Sequence, residues 1–277
     1  MLRLKCLLLT ASLLLPAGDL MWSGDREEVM LPILMYHEIR DRDLGKDVIL
    51  PEEMESDLRY LAREGYTTVL MEDVLAYVYS GAPLPEKPVL LTFDDGYAGC
   101  CGTLFPLLQK YGAKAVICVI GRSTDEFSLL PESGGPYVHA SWKQLLEMRA
   151  SGLVELQNHS FDLHRNDAVE QGCRRKPGEE GERYEQRIRS DLDRLQEELY
   201  RLTGCAADAF AYPYGFYDGT LEGILEEMGF RATFTCDFGV NKLTHDPDCL
   251  RGMKRICRSH GAELEALLAH AAAVSAA

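Results

Sequence analysis

The sequence predicts an α/β fold whose parallel sheet is closed or nearly closed into a β/α barrel, and three observations carry that reading. Short apolar runs of strand type alternate with amphipathic helical patterns along the chain. Strands that alternate with helices pair in parallel, and roughly seven such units suit a barrel better than two separate sheets. No Pro- or Ser-rich linker divides the 277 residues, a length suited to one large domain. An open doubly wound sheet is the alternative; in either architecture the chemistry sits at the carboxyl ends of the strands.

At the start of the chain, Arg3 and Lys5 precede an apolar run from Cys6 to Leu15 and then Pro16-Ala17-Gly18, the pattern of an export signal. The run is short of the roughly 20 apolar residues of a membrane span. No clean small-x-small pair closes it, so residues 1–24 read as a signal peptide or a retained N-terminal anchor, and residues 25–277 as the folded domain. The expected location is secreted or extracytoplasmic.

The first strand is Leu31-Pro32-Ile33-Leu34-Met35-Tyr36-His37, followed after a polar loop by a helix over 51–64. Met54, Leu58 and Leu61 stand at helical spacing there, with Pro51 near the start. Further strands are predicted at 67–70, 89–93, 115–120, 153–157, 210–212 and 232–235, and helices at 104–111, 142–150, 184–202 and 221–228. The charged stretch 170–185 reads as an exposed loop before the longest helix. Ile188, Leu192, Leu195 and Leu199 give that helix one apolar stripe, which makes it scaffold with its charges on a solvated face.

Basic side chains number 29 against 44 acidic ones, a formal charge of -15 that disfavours nucleic acid and anionic lipid and suits a neutral or cationic partner. Cys6, Cys100, Cys101, Cys118, Cys173, Cys205, Cys236, Cys249 and Cys257 include no paired C-x-x-C spacing and hence no zinc knuckle. Without Cys6 an even number remains, which permits disulfides; buried free thiols are the other reading.

Three strand ends carry candidate chemistry. Val89-Leu90-Leu91-Thr92-Phe93-Asp94-Asp95-Gly96 is a buried strand ending in two carboxylates, which repel unless a metal or a proton separates their roles. Asp94 and Asp95 can converge only where the pleat ends, and Gly96 permits that turn; a solvated loop opening is the plain alternative. In Asn158-His159-Ser160-Phe161-Asp162-Leu163-His164 the two imidazoles stand five apart, so they share no helix face and must converge through an irregular loop. Two imidazoles and a carboxylate suit zinc, cobalt, nickel or iron and leave positions open for water and substrate. Phe210-Ala211-Tyr212-Pro213-Tyr214-Gly215-Phe216-Tyr217 offers aromatic faces for a sugar ring and backbone N–H groups for an oxyanion, or else a rigid turn capping the barrel.

In order, Thr92-Phe93-Asp94-Asp95-Gly96, His159-Ser160-x3-His164 and Tyr212-Pro213-Tyr214-Gly215 resemble the motifs of the NodB-type polysaccharide deacetylases, carbohydrate esterase family four. The likeness runs from about Pro32 to Arg258 and implies a distorted (β/α)7 barrel. The opening Leu34-Met35-Tyr36-His37 and the long histidine spacing look most like the branch that deacetylates poly-β-1,6-N-acetylglucosamine in biofilms. The resemblance implies Asp95, His159 and His164 as ligands of one divalent metal, zinc first among the candidates. It further implies Asp94 as general base and the backbone N–H of Tyr214 as oxyanion donor. The family's late Leu-x-His proton donor is missing, since Cys257-Arg258-Ser259-His260-Gly261 matches it poorly. The biofilm branch implies His37 instead.

Ala211 stands where much of the family has the arginine that orients the base, so Asp94 needs another partner, with Arg165 or Lys254-Arg255 as candidates. Trp142, Phe161, Tyr212, Phe216 and Tyr217 are the expected sugar contacts. The implied substrate is an N-acetylated extracellular polysaccharide; peptidoglycan and chitooligosaccharide are the nearest alternatives. Two histidines and a carboxylate also describe a non-haem iron oxygenase, and the missing arginine and histidine motifs leave a carbohydrate-binding module on a degenerate fold as a non-enzymatic alternative.

Overall fold

Most of the apolar runs read as strands are buried along their length, the one at 67–70 excepted, and burial on both faces suits parallel pairing between helices. The computed structural model describes residues 28–129 and 138–276. Eight strands form its main sheet: β1 (Ile33–Tyr36), β2 (Thr67–Val69), β3 (Pro88–Phe93), β4 (Ala115–Val119), β5 (Val154–Asn158), β6 (Ala209–Ala211), β7 (Ala232–Phe234) and β8 (Ile256–Cys257). Their order is β7-β6-β5-β4-β3-β1-β8, with β2 paired to the start of β3. Every pairing is parallel. The two edges meet where Phe234 of β7 bridges in parallel to Met253, just ahead of β8. The sheet thus curls into the nearly closed distorted barrel that the sequence predicts, and not into an open doubly wound sheet.

Alternation along the strands divides the core. Leu34, Tyr36, Leu91 and Phe93 pack on one face with the surrounding helices, whereas Ile33, Leu90, Val116, Ala211 and Phe234 belong to a second cluster on the other. Around the sheet run α1 (Pro51–Arg63), α2 (Met71–Ser80), α3 (Phe105–Tyr111), α4 (Gly121–Leu129), α5 (Trp142–Ala150), α6 (Gly181–Thr203), α7 (Gly219–Glu227) and α8 (Leu264–Ala276). Local chemistry sets their starts: Pro51 opens α1 while Glu53 accepts the Leu50 N–H at 2.8 Å, and Asp218 accepts the Leu221 N–H at the head of α7. On α6 the stripe Ile188, Leu192, Leu195, Leu199 is buried as expected.

Register brings the site residues level. Tyr36 pairs with Phe93, and the Asp94 N–H donates to the Tyr36 carbonyl at 2.9 Å, so His37 and Asp94 leave neighbouring strands together. Val119 pairs with Asn158, and the His159 N–H donates to the Val119 carbonyl at 3.1 Å.

All eight cysteines among the described residues are free thiols, so no disulfide framework is built from them. Segment 1–24, expected to be a signal or anchor, lies outside the described residues. Among the described residues no helix is long and apolar enough to cross a membrane.

Candidate metal centre and active site

β3 is buried at all six positions, and the chain turns sharply as soon as it ends. Asp95 takes a left-handed φ of 68°, followed by Gly96 at 71°. Ser160, next to His159, and Tyr214 share this conformation at 71° and 59°. Left-handed backbone costs a residue with a Cβ roughly 1–2 kcal/mol. Three of the four such non-glycine residues described here line this one site, the pattern of strain held where function requires a particular side-chain direction.

Those turns bring Asp95, His159 and His164 together, with ligand atoms all within 4.8 Å of one another. The Nε2 atoms of both histidines lie 3.3 Å from Asp95 Oδ1. That oxygen is buried and no hydrogen bond reaches it. His159 is fixed by its Nδ1, 2.8 Å from the Ala211 carbonyl. That contact leaves Nε2 to face Asp95, and the carboxylates of Asp94 and Asp95 outweigh burial and raise the imidazole above its ordinary value. Burial pushes the His164 imidazole down to about 4, with the charge of His159 adding to the effect, so His164 is neutral near pH 7. Burial raises Asp95, but the two imidazoles and His37 outweigh it and hold the carboxyl well below the usual range. A buried, unpartnered carboxylate oxygen facing two imidazole nitrogens is a donor set that fits a divalent cation.

Asp94 is as deeply buried, but its partner is a guanidinium: Arg255 Nη1 donates to Asp94 Oδ1 at 2.8 Å. Arg255 is itself anchored by its Nε, which donates to the Thr235 carbonyl at 2.7 Å. Burial raises the Asp94 carboxyl, yet Arg255, His159 and His37 together hold it below its ordinary value, so it stays ionised. The missing orienting arginine is thus replaced from the approach to β8. Arg165, the other candidate, is half-exposed and pairs with Asp162 and Glu170 instead.

His37 follows β1 directly, level with Asp94 at the end of the neighbouring β3. The poorly matching His260 is tied to Glu53 at 2.8 Å. Tyr214 packs against His164 with ring centroids 4.3 Å apart and the planes tilted by 30°, and its phenol remains partly exposed.

Three of the expected sugar contacts are corrected by burial. Tyr212 is fully buried with its hydroxyl bonded to Glu222. Trp142 lies in the core with Nε1 donating to Asp125 at 2.7 Å, and Phe161 is buried beneath the Arg194 guanidinium. Filling the core, these rings offer no open face. Tyr217 is exposed, its hydroxyl donating to Asp237 at 3.0 Å, and the partly exposed Phe216 ring is covered by Arg174.

Three site neighbours carry no strand-end motif and escape sequence reasoning. His139 places Nδ1 2.9 Å from the Asp95 carbonyl, brought there as Ala98 and Ala140 exchange backbone hydrogen bonds with Val138 and Gly96. Glu38 accepts the N–H groups of Ile39 and Gly99, tying the residue after His37 to the loop beyond Asp95. Asp191, in the middle of α6, accepts the N–H groups of Phe161 and Asp162, each at 2.8 Å, and so clips the loop that presents His164. Its position beside Leu192 is the one available signal, a carboxylate bordering an apolar stripe.

Comparison with known proteins agrees with this geometry. Residues 81–233 match the family model described as polysaccharide deacetylase. The chain is 26% identical over 227 residues to the poly-beta-1,6-N-acetyl-D-glucosamine N-deacetylase of Escherichia coli (strain K12), a match covering 75% of this chain and 34% of that protein. The chain therefore spans about a third of that relative's length. Among solved structures, IcaB from Ammonifex degensii superposes with a TM-score of 0.70 at 27% identity, covering 86% of this chain and 94% of that one. The deacetylase domain of BpsB from Bordetella bronchiseptica gives 0.68 at 26%, covering 83% and 96%. With the family model spanning more than half of its length and the barrel shared with these structures, the chain belongs to the polysaccharide deacetylase family.

Proposed function

We propose that the chain is a metal-dependent hydrolase that removes N-acetyl groups from N-acetylglucosamine units of an extracellular polysaccharide, poly-β-1,6-N-acetylglucosamine, releasing acetate. One observation carries the reading: the unpartnered Asp95 Oδ1 faces two imidazoles beside an Asp94 that Arg255 keeps ionised. The name of the Escherichia coli relative supports the choice of polymer branch.

Asp95, His159 and His164 are the residues that would hold the ion, zinc being the first candidate. When bound, it supplies Lewis acidity, polarising the acetyl carbonyl and lowering the pKa of water. Asp94, buried and aimed by Arg255, takes a proton from the attacking water. The N–H of Tyr214 donates to the carbonyl oxygen as it gains charge. His37 passes a proton to the sugar nitrogen as the carbon–nitrogen bond breaks. The water oxygen ends in acetate, and the amine stays on the polymer. An oxygenase leaves the Asp94–Arg255 pair without a task, and a binding module needs no ionised base beside a ligand set.

Acetate release from poly-β-1,6-N-acetylglucosamine, chitooligosaccharide and peptidoglycan, measured side by side on purified chain, tests the substrate. Release is expected from the β-1,6 polymer above the other two. Release from chitooligosaccharide or peptidoglycan alone overturns the polymer assignment, and none from any overturns the activity.

A further inference from the structure

Beside the metal-ligand loop a cleft of about 620 Å³ opens between the start of α4, residues 161–165 and the middle of α6. Its volume falls within the range of about 300–1,000 Å³ that small-molecule sites occupy. Leu163 and Arg165, on either side of His164, both line it, so its wall and the catalytic loop are the same backbone.

The lining has a specific chemistry. Arg122 donates from Nε to Glu126 at 2.9 Å and from Nη1 to Asp162 at 2.7 Å. Arg165 donates to the same Asp162 at 2.8 Å. Arg194 lies 3.5 Å over the Phe161 ring and 3.9 Å from Asp125. Arg187, deeper in, is paired with Glu179. Each guanidinium bordering the cleft therefore has a carboxylate neighbour, which removes the attraction for a phosphate. What remains is a dense set of donors and acceptors. A guanidinium has five N–H donors and a carboxylate about four lone-pair sites, so each retains capacity after pairing. Planar forks already fixed by their partners lose little conformational freedom when they take up a further hydroxyl. The guanidinium of Arg194, lying over Phe161, adds an exposed platform at the α6 side.

We infer that this cleft is a subsite for neutral, hydroxyl-rich sugar units adjacent to the unit being deacetylated. The inference rests on the proposed polysaccharide reading and extends it. A polymer with one unit at Asp95 and His164 passes its neighbours across the His164 loop into the cleft, and affinity then grows with chain length. Burial of Trp142, Phe161 and Tyr212 fits this division, since contact with the polymer falls to paired polar forks and not to open aromatic faces.

The test is calorimetric titration of a β-1,6-linked N-acetylglucosamine pentamer and of the corresponding disaccharide into metal-loaded wild-type chain, Arg122→Ala and Arg194→Ala. The two variants lie on separate helices, and thermal unfolding verifies that each is folded. The pentamer is expected to bind the wild type more tightly than the disaccharide, and in each variant the ratio of the two affinities should fall about tenfold, the effect of losing one or two hydrogen bonds. An unchanged ratio in both variants, or a wild type that binds both sugars alike, overturns the subsite. The hydrolytic reading is judged separately by acetate release from the wild type. Absence of acetate with a length-dependent binding loss in the variants sinks the chemistry and leaves the subsite standing. Acetate release with an unchanged ratio does the reverse.

Discussion

Asp94 and Arg255 are both buried, and such an ion pair is tolerable only while both members are present. Arg255→Ala strands an ionised carboxylate in the core and is expected to lower stability by about 3–5 kcal/mol in urea denaturation. Asp94→Asn keeps an acceptor for Arg255 but loses the base, so turnover should fall by about 10² to 10⁴ with metal content retained. An Asp94→Asn protein with wild-type turnover removes Asp94 from the chemistry. Asp94, Asp95, His159 and His164 were legible because strand-end position and residue type point to one site. The partner of Asp94 was only narrowed to candidates, because Arg255 reaches it across 161 positions of sequence. Trp142, Phe161 and Tyr212 misled for a related reason, since composition does not reveal which face of a ring is covered.

At the scale of the element, α6 is more than the scaffold its stripe suggests. Its charges were expected to face solvent, yet Asp191 turns inward and holds the backbone of the His164 loop. A group that hydrogen-bonds a ligating side chain commonly contributes about 10- to 100-fold in metal affinity, and Asp191, which holds the neighbouring backbone and neither histidine, should contribute a smaller loss of the same kind. Asp191→Ala should show that loss in a metal titration while remaining folded; unchanged affinity would leave the clip without function. Burial outweighs the two amide donors and pushes the Asp191 carboxyl up to about 6. A carboxyl raised in the folded state stabilises most below its unfolded value of about 3.9, and that contribution is lost as pH rises toward about 6. Asp191→Asn should therefore flatten the fall in stability across this window. Helices α2 and α8 escaped sequence reading because α2 is apolar on most sides and α8 is alanine-rich, so neither shows a narrow stripe.

On the scale of the molecule, the barrel makes one site from distant parts of the chain. The family match at 81–233 holds Asp94, Asp95, His159, His164 and Tyr214 but neither His37 nor Arg255. Those two arrive from its flanks, because β1 lies between β3 and β8 while the β7 edge meets the chain at Met253. Alternating strands and helices made the parallel barrel legible in the sequence. Neighbour order was not, since periodicity shows which residues form a strand and says nothing of which strand lies beside it. The formal charge of -15 belongs to this scale too, and the paired guanidiniums of the cleft show how locally compensated a strongly acidic chain can be.

On the proposed reading, Asp95, His159 and His164 hold one divalent ion on which hydrolysis depends. Elemental analysis combined with acetate release from poly-β-1,6-N-acetylglucosamine, before chelation, after it and after zinc is restored, tests it most directly. One ion per wild-type chain, none in a folded Asp95→Ala protein, and activity that vanishes and returns with the ion are the expected results. A folded Asp95→Ala protein that keeps its ion, or a wild type whose turnover survives complete removal of metal, contradicts the claim.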